Sequence, residues 1–113
     1  MIELRTPAEI EAMRPAGRFV AEVLATLRDE VRVGTNLLAI DKRAHDMIRK
    51  AGAESCYIDY HPSFGASPFG KVICTSVNDE IVHGIPGPRV LRDGDVISID
   101  CGAVVEGWHG DAA

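Results

Sequence analysis

Apolar residues recur every three or four positions through the first half of the chain and tend toward alternate positions in the second. The first element starts at Thr6-Pro7-Ala8-Glu9, a capping box with proline at the first helical position, where Thr6 satisfies an orphan N–H and Glu9 reaches back. Ile10, Met13, Gly17, Val20, Leu24, Leu27 and Val31 follow as one stripe for burial, with Glu11, Arg14, Arg18, Glu22 and Arg28 largely off it as a solvated face. Pro15 lacks the N–H of a helical hydrogen bond and predicts a kink or break near Met13. Val33-Gly34-Thr35-Asn36 ends this element and opens a second helix, whose stripe of Leu37, Ile40, Ala44, Met47 and Ile48 stops at Gly52.

From Ala53 the pattern changes. Cys56-Tyr57-Ile58-Asp59-Tyr60 reads as a strand, and His61 to Gly70, rich in Pro, Ser and Gly, as a surface loop. Lys71 to Ser76 is a further strand, Val77-Asn78-Asp79-Glu80 a turn, and Arg89 to Asp95 a polar connection turning at Asp93-Gly94. Val96 to Val105, with many β-branched residues and no proline, reads as a longer strand. Glu106-Gly107 then supplies a two-residue hairpin loop before Trp108 to Asp111. Two helices followed by short strands that include a hairpin predict one α+β domain, with the helices packed on one face of a mainly antiparallel sheet.

The hairpin carries the candidate chemistry. A two-residue loop pairs Val105 with Trp108, Val104 with His109 and Gly102 with Asp111, so Asp100, Gly102, His109 and Asp111 share one face. Asp100 then sits diagonal to Asp111, roughly 6 to 8 Å away, with Gly102 leaving open space beside them. Two ionised carboxylates this close repel unless a cation intervenes. Hard divalent ions accept such oxygen ligands, and two ions roughly 3.5–4 Å apart make a hydrolytic site. The spacing is equally compatible with two solvated aspartates on an edge hairpin.

Composition narrows the field. The 113 residues carry a formal charge of -5, with pI near 5.3 and scattered Lys and Arg, which argues against nucleic acid or an anionic membrane as partner. No apolar run approaches the ~20 residues of a membrane span and Met1 to Arg5 lacks the features of a signal peptide, so the expected location is cytoplasmic. Cys56, Cys74 and Cys101 are odd in number and form no C-x-x-C pair, which predicts reduced thiols, with Cys56 and Cys101 as core fillers. His45 and His61 read as solvated, and Trp108 as a packing residue. The chain ends at Asp111-Ala112-Ala113 in the middle of a strand, which reads as part of a longer protein.

Three blocks carry a family resemblance: Ser76-Val77-Asn78-Asp79-Glu80-Ile81-Val82-His83-Gly84-Ile85-Pro86, Asp93-Gly94-Asp95-Val96-Ile97-Ser98-Ile99-Asp100, and Gly107-Trp108-His109-Gly110-Asp111. In this order and spacing they resemble type I methionine aminopeptidases, as does the opening Thr6 to Arg18. The resemblance covers essentially the whole chain and roughly the first half of the family's length. It implies the N-terminal half of a single metallopeptidase domain over residues 1–113, in the creatinase/aminopeptidase or "pita-bread" fold. The implied activity is removal of the initiator methionine from nascent polypeptides by two divalent ions (Co, Mn, Fe or Zn), with the ribosome as a candidate partner and a monomer at full length.

By the same resemblance Asp100 and Asp111 match the first two of five metal ligands, and His83 matches the histidine that stabilises the tetrahedral intermediate beside the substrate amide. Cys74 and Phe69 match the pocket for the methionine side chain, where a soft thioether packs against sulfur and ring edges. His109, on the aspartate face, is not a ligand in the family and reads as a neighbour of the site. The remaining His and two Glu ligands, one of the glutamates also being the general base, would lie beyond Ala113, which implies an inactive chain when alone. The segment from Tyr60 to Gly70 looks longer than the family's usual loop, and Tyr60 and Cys56 are left out of the pocket set. Competing readings are a non-catalytic binding relative of the same fold, disfavoured by the intact His83, Asp100 and Asp111, and a proline-specific peptidase of that fold, disfavoured by the start at Thr6 and the His83-Gly84-Ile85-Pro86 block.

Overall fold

A computed structural model describes residues 1–61 and 67–113; residues 62–66 of the loop predicted over His61 to Gly70 lie outside the described residues. Helix α1 spans Pro7–Glu30 and starts on the predicted capping box, with the Glu9 amide donating to Thr6 Oγ1 at 3.2 Å and the Thr6 amide to Glu9 Oε2 at 2.7 Å. Of the kink or break expected near Met13, the break does not occur: one helix runs through Pro15. Pro15 and Glu11 are both exposed, so the carbonyl deprived of a partner faces water, and burial of the following turns outweighs one lost hydrogen bond. The buried face is Ala16, Val20, Val23 and Leu27, rotated from the predicted stripe: Ile10, Met13 and Gly17 are exposed, while Leu24 and Val31 flank the core.

Helix α2, Leu37–Lys50, is capped by Asn36, whose Oδ1 accepts from the Leu38 amide at 2.8 Å, and it stops before Gly52 in the left-handed region at φ 68°. Its Asp41 Oδ1 accepts from the amides of Val72 and Ile73 at 2.9 and 3.3 Å, fixing where the sheet begins relative to the helix.

The described strands are β1 (Glu54–Ser55), β2 (Ile73–Val77), β3 (Ile97–Val105) and β4 (Trp108–Ala112), and every pairing is antiparallel. β3 is the centre: β4 lines one edge, and β2 and β1 lie end to end along the other, opposite Ile97–Cys101 and Ala103–Val104. The hairpin has the predicted register, Val105 with Trp108, Val104 with His109 and Gly102 with Asp111. Its loop residues Glu106 and Gly107 both have positive φ, 51° and 82°, as a type I′ turn requires.

The predicted strand over Cys56–Tyr60 is corrected. Pairing ends at Ser55, apart from one hydrogen bond from the Cys56 amide to the Gly102 carbonyl, because Ser55 Oγ captures the amides of Tyr57 and Ile58 at 3.1 and 3.2 Å and turns the chain out of the ladder.

The helices cover one face of the sheet, where Ile73, Val77, Cys101 and Ala103 join Val20, Val23, Leu27, Ile40 and Ile48 in the core. Alternation therefore sends Cys74, Ser76, Asp100, Gly102 and Asp111 to the other face. No helix among the described residues is long and apolar enough to cross a membrane.

Candidate metal centre

Asp100 and Asp111 converge. Each Oδ1 lies 2.8 Å from one and the same atom, the hydroxyl oxygen of Tyr57. The convergence follows from the hairpin: Asp111 is opposite Gly102, Asp100 is two residues before it on the same face, and Gly102 has no side chain of its own to separate them. Cys74 is the partner of Asp100 on β2 and so stands beside it on that face.

Gly102 does not leave the predicted open space. The Tyr57 ring is seated over it, and a Cβ at that position would lie 2.8 Å from Cε1 and 3.0 Å from both Cζ and the hydroxyl oxygen. Phe69 meets Tyr57 edge to face, with centroids 6.5 Å apart and planes at 88°. Phe69 is placed by its own amide, which donates to the Tyr60 carbonyl at 2.7 Å, while the Gly70 amide donates to Ile58 at 3.0 Å.

His83 comes from a separate segment. Its φ of 58° is left-handed, and the next residue, Gly84, lies so close to β2 that a Cβ would strike the Thr75 carbonyl. Gly84 is held there by accepting from the Thr75 amide at 2.8 Å and donating to Ser76 Oγ at 3.1 Å. The docked glycine leaves His83 exposed at the sheet margin, near enough for a protonated imidazole to favour ionisation of Asp100. His109 is exposed, His61 is exposed, and Cys101 is fully buried on the helix face as predicted. Trp108 is half-buried, with the Arg5 guanidinium 5.5 Å from its ring centroid.

The electrostatics reflect two acids in a half-buried place. Burial pushes the Asp100 carboxyl above the usual carboxylate range; the Tyr57 hydrogen bond pulls it down, and Asp111 pushes it up again through a hydrogen bond and its charge. Burial, followed by the hydrogen bonds to Asp111 and Asp100, raises the Tyr57 phenol, which stays protonated and a donor. Burial and then the two aspartates push the Cys74 thiol up to about 11.

The donor set suits a divalent cation: two anionic oxygens already aimed at one point and in need of a compensating positive charge. It is a partial set, since no group of three or more His, Cys, Asp or Glu side chains that could hold a metal ion occurs among the described residues.

Tyr57 is the contact that sequence reading missed. A glycine inside a strand often marks a close approach of another group. Gly102, flanked on its face by the aspartates, was that signal, and it pointed to a neighbour without naming it.

An α+β unit whose hairpin brings two carboxylates together presents part of the donor set that a metal-dependent hydrolase needs. The chain belongs to metallopeptidase family M24, whose profile matches residues 11–113. It is 45% identical over its whole length to methionine aminopeptidase 1 of Mycobacterium tuberculosis, covering 41% of that protein, and 47% identical to methionine aminopeptidase 1 of Bacillus subtilis, again over its whole length and covering 43% of that protein. The methionine aminopeptidase structure from Rickettsia prowazekii superposes with a TM-score of 0.89 at 32% identity, over 98% of this chain and 42% of that one. Aminopeptidase P of Escherichia coli, at 23% identity and a TM-score of 0.69 over 95% of this chain and 22% of that one, shares the fold alone. The pita-bread architecture is thus the one expected, and the chain spans about two-fifths of the length of the curated relatives it matches.

Proposed function

We propose that residues 1–113 are the N-terminal half of a methionine aminopeptidase domain, contributing two of its metal ligands, Asp100 and Asp111, and part of its substrate pocket. The observation that carries this reading is the convergence of both carboxylates, each Oδ1 lying 2.8 Å from the same Tyr57 hydroxyl oxygen. The names of its relatives supply the substrate class, an N-terminal methionine. Nascent chains in the cytoplasm, met at the ribosome by a monomeric full-length enzyme, are the proposed setting.

When bound, divalent ions supply Lewis acidity and a water of lowered pKa. Asp100 and Asp111 would hold that charge on the helix-free face of the hairpin, and the strand pairing on both sides of β3 keeps them from moving apart. His83 stands at the margin of the same face, where its imidazole donates a hydrogen bond to the oxygen that gains charge as the peptide bond is attacked. Cys74, beside Asp100, and Phe69, behind Tyr57, line the place for the methionine side chain. Their sulfur and ring edge match a thioether.

The test uses the protein expressed from its own reading frame, including whatever follows Ala113, with a Met-Ala-Ser peptide and added Mn²⁺ or Co²⁺. Methionine release that is lost with chelator and with Asp111→Asn is expected. Release that survives Asp111→Asn refutes the assignment, and turnover by residues 1–113 alone refutes the half-domain reading.

A further inference from the structure

Tyr57 has no place in the chemistry described so far, yet it makes the closest polar contacts at the site. Its hydroxyl lies 2.8 Å from Asp100 Oδ1 and 2.8 Å from Asp111 Oδ1, the pair of oxygens that the reading above gives to a divalent ion. We propose that the Tyr57 phenol is a counter-ligand: it and a divalent cation compete for Asp100 and Asp111, so that metal loading moves the ring off Gly102.

The local architecture suits a side chain that moves. Cys56 to Tyr60 is not part of the strand ladder, so the ring can leave without breaking sheet pairing. The backbone there is held instead by Ser55 Oγ and by the bond from Tyr60 to the Tyr57 carbonyl, which act as a fixed pivot. Gly102 is the seat: any larger residue would expel the ring, since a Cβ would come within 3.0 Å of it. The hydroxyl's only side-chain hydrogen bonds among the described residues are to the two aspartates, so their loss to a cation leaves nothing polar to keep it in place. A lone pair turned toward an O–H is withdrawn from a metal, and a hydrogen bond to a charged group is strong enough to tax binding by about ten-fold or more.

This inference rests on the reading of Asp100 and Asp111 as metal ligands, and the experiment separates the two. Mn²⁺ is titrated into the 113-residue chain while paramagnetic broadening of amide resonances is followed, a readout that registers weak binding and does not depend on turnover. Tyrosine absorbance is recorded in parallel in a Tyr60→Phe background, where Tyr57 is the sole tyrosine. Tyr57→Phe, which keeps the ring against Phe69, is expected to tighten Mn²⁺ binding about ten-fold, and Gly102→Ala, which evicts the ring, to act in the same direction. The Tyr57 absorbance is expected to shift as Mn²⁺ binds. Unchanged or weaker binding by Tyr57→Phe, or an absorbance that ignores bound Mn²⁺, overturns the competition. If Asp100→Asn binds Mn²⁺ as well as the unaltered chain, the metal reading fails first; if Asp100→Asn abolishes binding and Tyr57→Phe changes nothing, only the counter-ligand role is lost.

Discussion

Adding one methyl group at Gly110 should destabilise the chain, and adding one at Gly17, a residue at the same contact, should stabilise it. Gly110 sits on the helix face of β4, and a Cβ there would lie 2.5 Å from the Ala16 carbonyl oxygen, 2.7 Å from its carbon and 3.0 Å from the Gly17 amide nitrogen. All three are backbone atoms of α1, so no rotamer change relieves the clash. Helix and strand must separate by about 0.9 Å to restore ordinary contact. Overpacking costs about 1–3 kcal/mol, and a clash against backbone belongs at the upper end. The lower chain entropy of alanine returns about 0.5–1 kcal/mol, leaving a net loss of about 2 kcal/mol. At about 4–8 °C per kcal/mol for a small domain, Gly110→Ala should melt about 10 °C below the unaltered chain. Gly17 is exposed inside α1 with nothing within 4 Å of an added Cβ, so Gly17→Ala gains about 0.5–1 kcal/mol and a few degrees. Thermal unfolding followed by far-UV circular dichroism measures both. A Gly110→Ala melt within about 3 °C of the unaltered chain would refute close packing of α1 on β4, as would a fall for Gly17→Ala.

Two further outcomes follow from local chemistry. The Glu9 carboxyl lies below its ordinary 4.5 because the Thr6 amide, then the Thr6 hydroxyl and Arg5, favour its charged form. Its contribution is therefore present above the unfolded value and lost as pH falls through the lower folded one, so Glu9→Gln should flatten the acid limb of a plot of urea midpoint against pH; parallel limbs would contradict the capping box. At neutral pH iodoacetamide should modify half-buried Cys56 before Cys74 and Cys101, whose thiols burial first, and then neighbouring negative charge, push up to about 11 and about 12. Peptide mass spectrometry reads the order, and Cys101 reacting as fast as Cys56 would place it outside the core.

The parts of the fold that were legible are those set by neighbours in sequence. The capping box, the break between helices over Val33-Gly34-Thr35-Asn36, the Gly52 stop and the Glu106-Gly107 turn each depend on a few adjacent residues, and each stands where the pattern puts it. The errors in α1 fall where a distant surface decides, whereas the strand predicted over Cys56–Tyr60 is ended by a local hydroxyl. Pro15 breaks an isolated helix, but Ala16, Val20, Val23 and Leu27 pack α1 onto β3 and β4, and that burial outweighs one missing hydrogen bond at an exposed position. The same packing chose the helix face: Gly110 admits the backbone at Ala16, so the buried stripe runs through Ala16 and Val23, and the more apolar Ile10 and Met13 stay outside.

The site divides along the same line. Asp100 and Asp111 are joined by one short turn, so a period of two and a loop length sufficed to put them on one face. Tyr57 stands 43 and 54 residues from the aspartates it touches, and its position depends on a serine hydroxyl ending a strand that β propensity favoured extending. Cys56-Tyr57-Ile58 has the β-branched and aromatic composition of a strand, and continued pairing would have alternated those side chains across the two faces. Ser55 offers the Tyr57 and Ile58 amides a local acceptor instead, which frees the ring to fold back over Gly102. One hydroxyl thus decides whether the carboxylate pair meets solvent or a phenol. Ser55→Ala should restore strand character beyond residue 55 and loosen Tyr57 from both aspartates, which makes the surroundings of the carboxylate pair a consequence of a turn outside the hairpin that carries it.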